Sequence, residues 1–311
     1  MPELPEVEVV RAGLAPAVDG AEIVAVRVLD ERSLRRHGGP AEDFVDRLVG
    51  RVLGAPERRG KFIWIPLDPP SFPGLVRSFP GLVEGPAETA SALAIHLGMS
   101  GQVLLRERDV DDVRTRIRLD IVHPTHGELR VNFVDQRIFG SMAIVPLVPA
   151  ADHPEQRIPT HVTHIARDPL DPLFDTDAVV ARIRRRRSGI KRVLLDQTTV
   201  SGVGNIYADE ALWRARLHYD QPADSLTRAT AMRLLDDVRA VLDQALAEGG
   251  TSFDAQYVNV NGASGYFARS LNVYGQQGEP CPRCGTPIVR ERFMNRGSHV
   301  CPRCQRPRAA A

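Results

Sequence analysis

The sequence predicts a multidomain α+β protein: an antiparallel β-sandwich flanked by helices, then a helical domain, then a small four-cysteine β-hairpin. Three observations carry this. Short strand-like segments crowd the first half with no regular helices between them, which favours an antiparallel sandwich over a doubly wound parallel sheet. Helical periodicity takes over after a proline-rich stretch ending at Pro172. All four cysteines fall in the final 31 residues. The chain has 311 residues and is 43% hydrophobic, enough for two cores and an appended module. The expected division is a sandwich domain over 1–145, an interdomain linker over 146–172, a helical domain over 173–268 and the cysteine module over 269–308.

The elements follow in order. Residues 5–14 read as a short helix, with Pro5 in the first turn, Glu6 and Glu8 at the positive end of the dipole, and Val7, Val10 and Leu14 on one face. Strands are expected over 22–29, 61–67, 102–105, 114–122 and 128–135. The fourth alternates cleanly: Ile117, Leu119 and Ile121 point one way, and Arg114, Arg116, Arg118 and Asp120 the other. That is a half-buried strand with a mostly basic outer face. Residues 68–92 form a Pro/Gly-rich insertion with a tandem repeat, SFPGLV at 71–76 and again at 78–83. Two copies are too few for a solenoid, so an elaborated hairpin loop dispensable for chemistry is expected. Farther on, Ala231, Leu234, Leu235, Val238, Val241, Leu242 and Ala245 recur at helical spacing, with Thr227 as N-cap and Gly249-Gly250 as the stop. A shorter helix over 204–216 precedes it, joined through a turn near 218–222. The pair is a variant of helix–turn–helix geometry, which packing alone also produces.

Net charge is +1, which favours no partner class by itself. Its distribution says more: residues 182–192 hold seven basic side chains and no acid. Such a run is either a solvated face or a phosphate-binding stripe. No apolar run reaches the roughly 18 residues a membrane crossing needs. The acidic, proline-punctuated start is not a secretory signal, so a cytoplasmic protein is expected.

Two constellations point to chemistry. Cys281-x-x-Cys284 and Cys301-x-x-Cys304, sixteen residues apart, match a four-thiolate zinc site in a chain where disulfides are not expected. Gly285 supplies turn freedom to the first knuckle. The second is the N-terminus. Removal of Met1 would leave Pro2 as a secondary amine, partly neutral and nucleophilic near pH 7, with Glu3 beside it as a candidate general acid/base.

Residues 1–8 (MPELPEVE) resemble the start of the formamidopyrimidine-DNA glycosylases. Residues 96–101 (HLGMSG), 135–140 (DQRIFG) and 202–210 (GVGNIYADE) are similar to that family's internal blocks, and 262–267, 273–275, 278–281 and the cysteine module follow in register. The likeness runs from end to end and lapses mainly in 68–92 and the linker.

The resemblance implies a helix-two-turn-helix domain, a zinc-finger hairpin with one structural Zn2+ on the four cysteines, and damaged double-stranded DNA as partner of a monomeric, nucleoid-associated enzyme. It implies base-excision removal of oxidised purines (8-oxoguanine and formamidopyrimidines) followed by β,δ-elimination. Pro2 would attack C1′ and form a Schiff base, with Glu3 as proton donor, Lys61 assisting base release and Arg296 serving δ-elimination. Arg186 and Asn205 would contact phosphates; a simple N-cap is the other reading of Asn205. Met99, Arg137 and Phe139 would fill the gap left by an extruded base. Arg114 or Arg116 stands where the family often has a DNA-binding histidine. Two alternatives stay open: an endonuclease VIII-like glycosylase for oxidised pyrimidines, against which Leu4 after Pro-Glu speaks, and a non-catalytic zinc-ribbon DNA-binding protein, which has no use for Pro2, Glu3 and Lys61 together.

Overall fold

The computed structural model describes residues 2–68, 90–108, 110–250, 260 and 265–307. The tandem repeat, and most of residues 257–267, where the family resemblance implies a loop folding over the extruded base, lie outside them.

Helix α1 (Leu4–Val18) runs past the expected stop near Leu14 and carries Pro16 inside its last turn, at the expense of one i→i−4 hydrogen bond. Gly13 faces Val260 so closely that a Cβ would meet Val260 Cγ2 at 2.7 Å. Then come β1 (Glu22–Val28), α2 (Ala41–Asp46), β2 (Val52–Leu53), β3 (Glu57–Arg59), β4 (Phe62–Asp68), β5 (Ser91–His96), β6 (Gly101–Arg106), β7 (Thr115–His123), β8 (Gly127–Asp135), β9 (Ser141–Ala150) and β10 (His153–Pro159). They form one antiparallel sheet in the order β10-β9-β5-β4-β2-β1-β7-β8-β6, with β3 on β4. The two-residue β2 joins two halves that share one core. Ile63, Ile65, Leu93, Ile95 and Ile144 pack with Ile117, Leu119, Ile121, Val131 and Phe133, and α1 adds Val7, Val10 and Leu14. The insertion connects neighbouring strands, since Leu67 pairs with Ser91.

The stretch expected as a linker is ordered through Pro159: β9 extends to Ala150 and β10 pairs back along it. Pro154 and Pro159 lie on β10, which ends the sheet and so tolerates them. The outer face of β7 also differs from expectation. Arg118 pairs with Asp111 at 2.5 Å and Asp120 with Arg130 at 2.7 Å, so the face is ion-paired rather than bare and basic.

The second core belongs to α3 (Thr176–Arg184), α4 (Ile190–Leu195), α5 (Asn205–Ala215) and α6 (Arg228–Ala247). Thr227 caps α6 by accepting the Thr230 N–H at 3.1 Å. Gly204, not Asn205, is the N-cap of α5. The basic run divides between the end of α3, a turn and the start of α4, and it is not all solvated: Lys191 is fully buried. A two-stranded hairpin, β11 (Val289–Phe293) and β12 (Arg296–Val300), completes the chain. Among the described residues no helix is long and apolar enough to cross a membrane.

Candidate active site and nucleic-acid interface

Three parts of the fold meet around the N-terminus. The Leu4 N–H donates to Gly202 O at 3.1 Å, which pins the start of α1 to the loop before α5. The Glu3 N–H donates to Glu6 Oε2 at 2.8 Å, and Tyr207 Oη on α5 donates to Glu6 Oε1 at 2.6 Å. Gly202 (φ +82) leaves room for Leu4; a Cβ there would lie 2.5 Å from Leu4 Cδ1. Gly204 leaves room for Glu3, because a Cβ on it would overlap the Glu3 carboxyl group. These two glycines explain the glycine spacing of 202–204 as close approach rather than flexibility.

The result is a cleft of about 460 Å3 lined by Pro2, Glu3, Lys61, Asn205 and Arg296, with Phe62 and His96 on its sheet side. Pro2 and Glu3 from the start of the chain, Lys61 from the turn between β3 and β4, and Arg296 from the start of β12 all reach this one cavity. Burial pushes the Glu3 carboxyl up to about 7 against the pull of Lys61, and among the described residues Glu3 Oε2 has no hydrogen-bond partner. Burial also holds Lys61 below the ordinary lysine value, outweighing the attraction of Glu3 and Glu6. A protonatable acid and a weakened ammonium thus share one cleft, the usual setting for proton transfer. Asn205 reaches across it, donating from Nδ2 to Gly297 O at 3.2 Å, while its buried Oδ1 has no partner among the described residues.

The loops carrying Met99, Arg137 and Phe139 are braced by one buried carboxylate to which the sequence assigns no role. Asp135 accepts from Ser100 Oγ at 2.6 Å, the Arg137 N–H at 3.0 Å and the Gly140 N–H at 2.7 Å. Arg35 adds bonds to the carbonyls of Ile138 and Phe139. Gly98 lets the loops touch, since any Cβ would collide with the Phe139 backbone. Met99 and Phe139 are left 42% and 47% exposed, far too open for core residues. Arg137 is exposed beside them.

Arg116 is occupied, donating to Asp135 O at 2.8 Å and lying 3.5 Å from Asp30, whereas Arg114 is exposed at a left-handed backbone position (φ 70). Of the pair, Arg114 is the one available to a ligand. Arg186 lies exposed near Asp196, at 3.3 Å, and Asp196 itself lines the cleft.

Two further buried carboxylates, Asp209 and Glu210, fasten the C-terminal module to α5. Asp209 pairs with Lys191 at 2.6 Å and accepts from Ser298 Oγ and the His299 N–H, both at 2.8 Å. Glu210 accepts the backbone N–H groups of Asn272, Val273 and Tyr274. Neither signal was readable before the fold, because both residues look like ordinary helix polar positions. The four cysteine Sγ atoms lie within 4.8 Å of one another. A tetrahedral Zn–S distance of about 2.3 Å requires sulfurs ~3.8 Å apart, so the donor set fits one zinc. Trp213 Nε1 donates to Cys281 Sγ at 3.4 Å and Gln305 Nε2 to Leu217 O at 2.9 Å, tying that centre to α5 and to the turn that follows it. Through this anchorage the zinc sets where β12, and hence Arg296, stands.

This architecture defines a glycosylase-type assembly of three modules, and family models match each. The formamidopyrimidine-DNA glycosylase N-terminal domain matches residues 1–142, the formamidopyrimidine-DNA glycosylase H2TH domain residues 165–256, and the zinc finger found in FPG and IleRS residues 278–307. The chain is 61% identical over 314 residues to the formamidopyrimidine-DNA glycosylase of Leifsonia xyli subsp. xyli, covering 98% of this chain and 100% of that one. It is 54% identical to that of Nocardia farcinica, covering 99% of each. A Lactococcus lactis FPG mutant in complex with Fapy-dG-containing DNA matches with TM-score 0.77 and 27% identity, over 98% of this chain and 100% of that one. A structure of MutM in complex with carbocyclic 8-oxo-G-containing DNA matches at TM-score 0.75 and 28% identity, over 98% and 100% of the two chains. The chain belongs to the formamidopyrimidine-DNA glycosylase family.

Proposed function

We propose that this protein removes oxidised purines from double-stranded DNA and then cleaves the strand at the resulting site. The observation that carries the reading is the convergence of Pro2, Glu3, Lys61 and Arg296 on one cleft. With Met1 removed, the Pro2 nitrogen attacks C1′ of the damaged nucleotide and the bond from C1′ to the base breaks, the base leaving with a proton. The nitrogen lone pair then expels O4′ of the sugar, which takes a proton from Glu3, and an iminium joins Pro2 to C1′. Loss of the C2′ proton from that iminium expels the 3′ phosphate, and a second elimination expels the 5′ phosphate. Lys61, with its lowered proton affinity, assists base release and the first elimination. Arg296, always charged, neutralises the departing phosphate. The zinc is structural and takes no part in these steps. One chain supplies every residue named, so a monomer suffices.

Borohydride reduction during turnover is expected to trap an enzyme–DNA adduct whose peptide map places the DNA on residue 2. An adduct on Lys61 would overturn the assignment.

Met99 and Phe139 enter the stack where the base has left it, and Arg137 faces the cytosine left behind, donating hydrogen bonds to its acceptors. Adenine would present an amino donor near the same place, so lesions opposite adenine are poor substrates. Arg137→Ala is expected to weaken binding and to flatten the preference for cytosine over adenine, since one good base contact is worth about 1–3 kcal/mol. Comparing excision of 8-oxoguanine opposite each base, wild type against variant, checks this. An unchanged ratio would make Arg137 a phosphate ligand only.

A further inference from the structure

We propose that a second cavity, beside the lesion cleft and lined by Arg36, His161, His164 and Thr160, binds a backbone phosphate of the bound DNA. The cavity measures about 470 Å3 and shares Phe62 and His96 as a wall with the lesion cleft. Among the described residues no carboxylate lines it. Its polar groups are one guanidinium, the imidazoles of His96, His161 and His164, and the hydroxyls of Ser141 and Thr160. Guanidinium, imidazole and hydroxyl together form a donor set for an oxyanion.

The set is held in place before any ligand arrives. Arg36 Nη1 donates to Ser141 Oγ at 2.9 Å, which fixes the guanidinium at the start of β9. The Phe62 ring lies between the two imidazoles, 5.1 Å from His96 and 5.6 Å from His161. The His161 ring nitrogens have no hydrogen-bond partner among the described residues, although the ring is only partly exposed. Burial, and then Arg36, hold His161 below the ordinary histidine value, so the guanidinium of Arg36 is the pocket's standing positive charge and the imidazole beside it serves as a neutral hydrogen-bond donor.

Position selects the anion. A DNA strand carries one phosphate per about 3.4 Å of axis rise, so a strand whose damaged nucleotide occupies the lesion cleft presents further phosphates to a cavity sharing its wall. The inference rests on the glycosylase reading, which seats the DNA there. It adds a contact from β9, from the turn after β10 and from the loop before α2, none of which supplies a residue to the chemistry.

The test uses the full-length protein and lesion duplexes carrying a single neutral methylphosphonate, moved linkage by linkage along the lesion strand. Wild type is expected to lose about ten-fold in affinity at one linkage beyond those flanking the lesion, as the loss of one charge-assisted contact implies. Arg36→Gln and His161→Gln, made separately, are each expected to lose most of that sensitivity while keeping the response at the flanking linkages. The retained response shows that each variant is folded. The salt dependence of Arg36→Gln binding is expected to fall by about one ion. Variants that respond at every linkage as wild type does would overturn the proposal, and with wild-type excision intact they would leave the glycosylase reading standing. A wild-type protein that neither excises the lesion nor prefers the damaged duplex would overturn the glycosylase reading instead.

Discussion

Gly204→Ala is expected to reduce base excision by at least about a hundred-fold, the usual size of a lost general acid. The single added methyl cannot share space with Glu3, because its Cβ would overlap the carboxyl carbon and both oxygens. The backbone of Glu3 stays where it is, its own N–H held by Glu6 and that of the next residue by Gly202 O, so the side chain yields and the carboxyl is turned out of its place. The backbone of Gly204 is extended (φ −123, ψ −166), a conformation alanine adopts freely, so the effect comes from space alone and not from strain. Zinc content and the folding of the helical domain should survive, since the cysteines and the α5–α6 core lie away from the added methyl. Single-turnover excision on a lesion duplex measures the loss, and near-wild-type rates would mean that the Glu3 carboxylate does not need the place it occupies.

That dependence marks a limit of the sequence. The glycines of 202–204 could be matched to a family block, yet nothing in the string says that Gly204 and Glu3, two hundred positions apart, compete for one volume. The same is true of Asp135, whose acceptor bonds brace both loops of the exposed Met99 and Phe139. A lone aspartate at the end of a strand has no periodicity to betray it. His96 stands in a family block with no role attached, and the fold puts it on the wall between two cavities.

Elements with one buried face were legible. The alternation of β7 and the apolar stripe of α6 come through because each has water on one side. The strand β9 has no such contrast over its first half, where Ser141 through Val145 are all buried. A strand covered on both faces loses its period-two signal. Its partner β10 was hidden by prolines that belong on a sheet edge. Asn205 lines the cleft, and the cap that was the other reading of it is the work of Gly204.

Glu3→Gln is expected to make the protein more stable near neutral pH while removing most of its activity. The Glu3 carboxyl is almost wholly buried, at 5% exposure, and its proton affinity in the folded state is raised from 4.5 to about 7. A carboxyl whose folded value lies above its unfolded value binds more protons folded than unfolded between those two pH values. Stability therefore falls as pH rises from about 4.5 to about 7 and levels off above that. A tenfold change in proton affinity is worth about 1.4 kcal/mol, so the full effect is about 3 kcal/mol. Glutamine fills the same space, can still accept the Asn205 N–H, and carries no charge to bury. Chemical unfolding curves should show the wild type losing stability across that window relative to the variant, with the variant ahead at pH 8. Excision by the variant should drop at least about a hundred-fold, because an amide cannot protonate the sugar oxygen. A site that holds an acid ready against its burial trades stability for chemistry in this way. Parallel stability profiles for the two proteins from pH 5 to 8 would locate the burden elsewhere, and a fully active glutamine variant would remove Glu3 from the proton transfer.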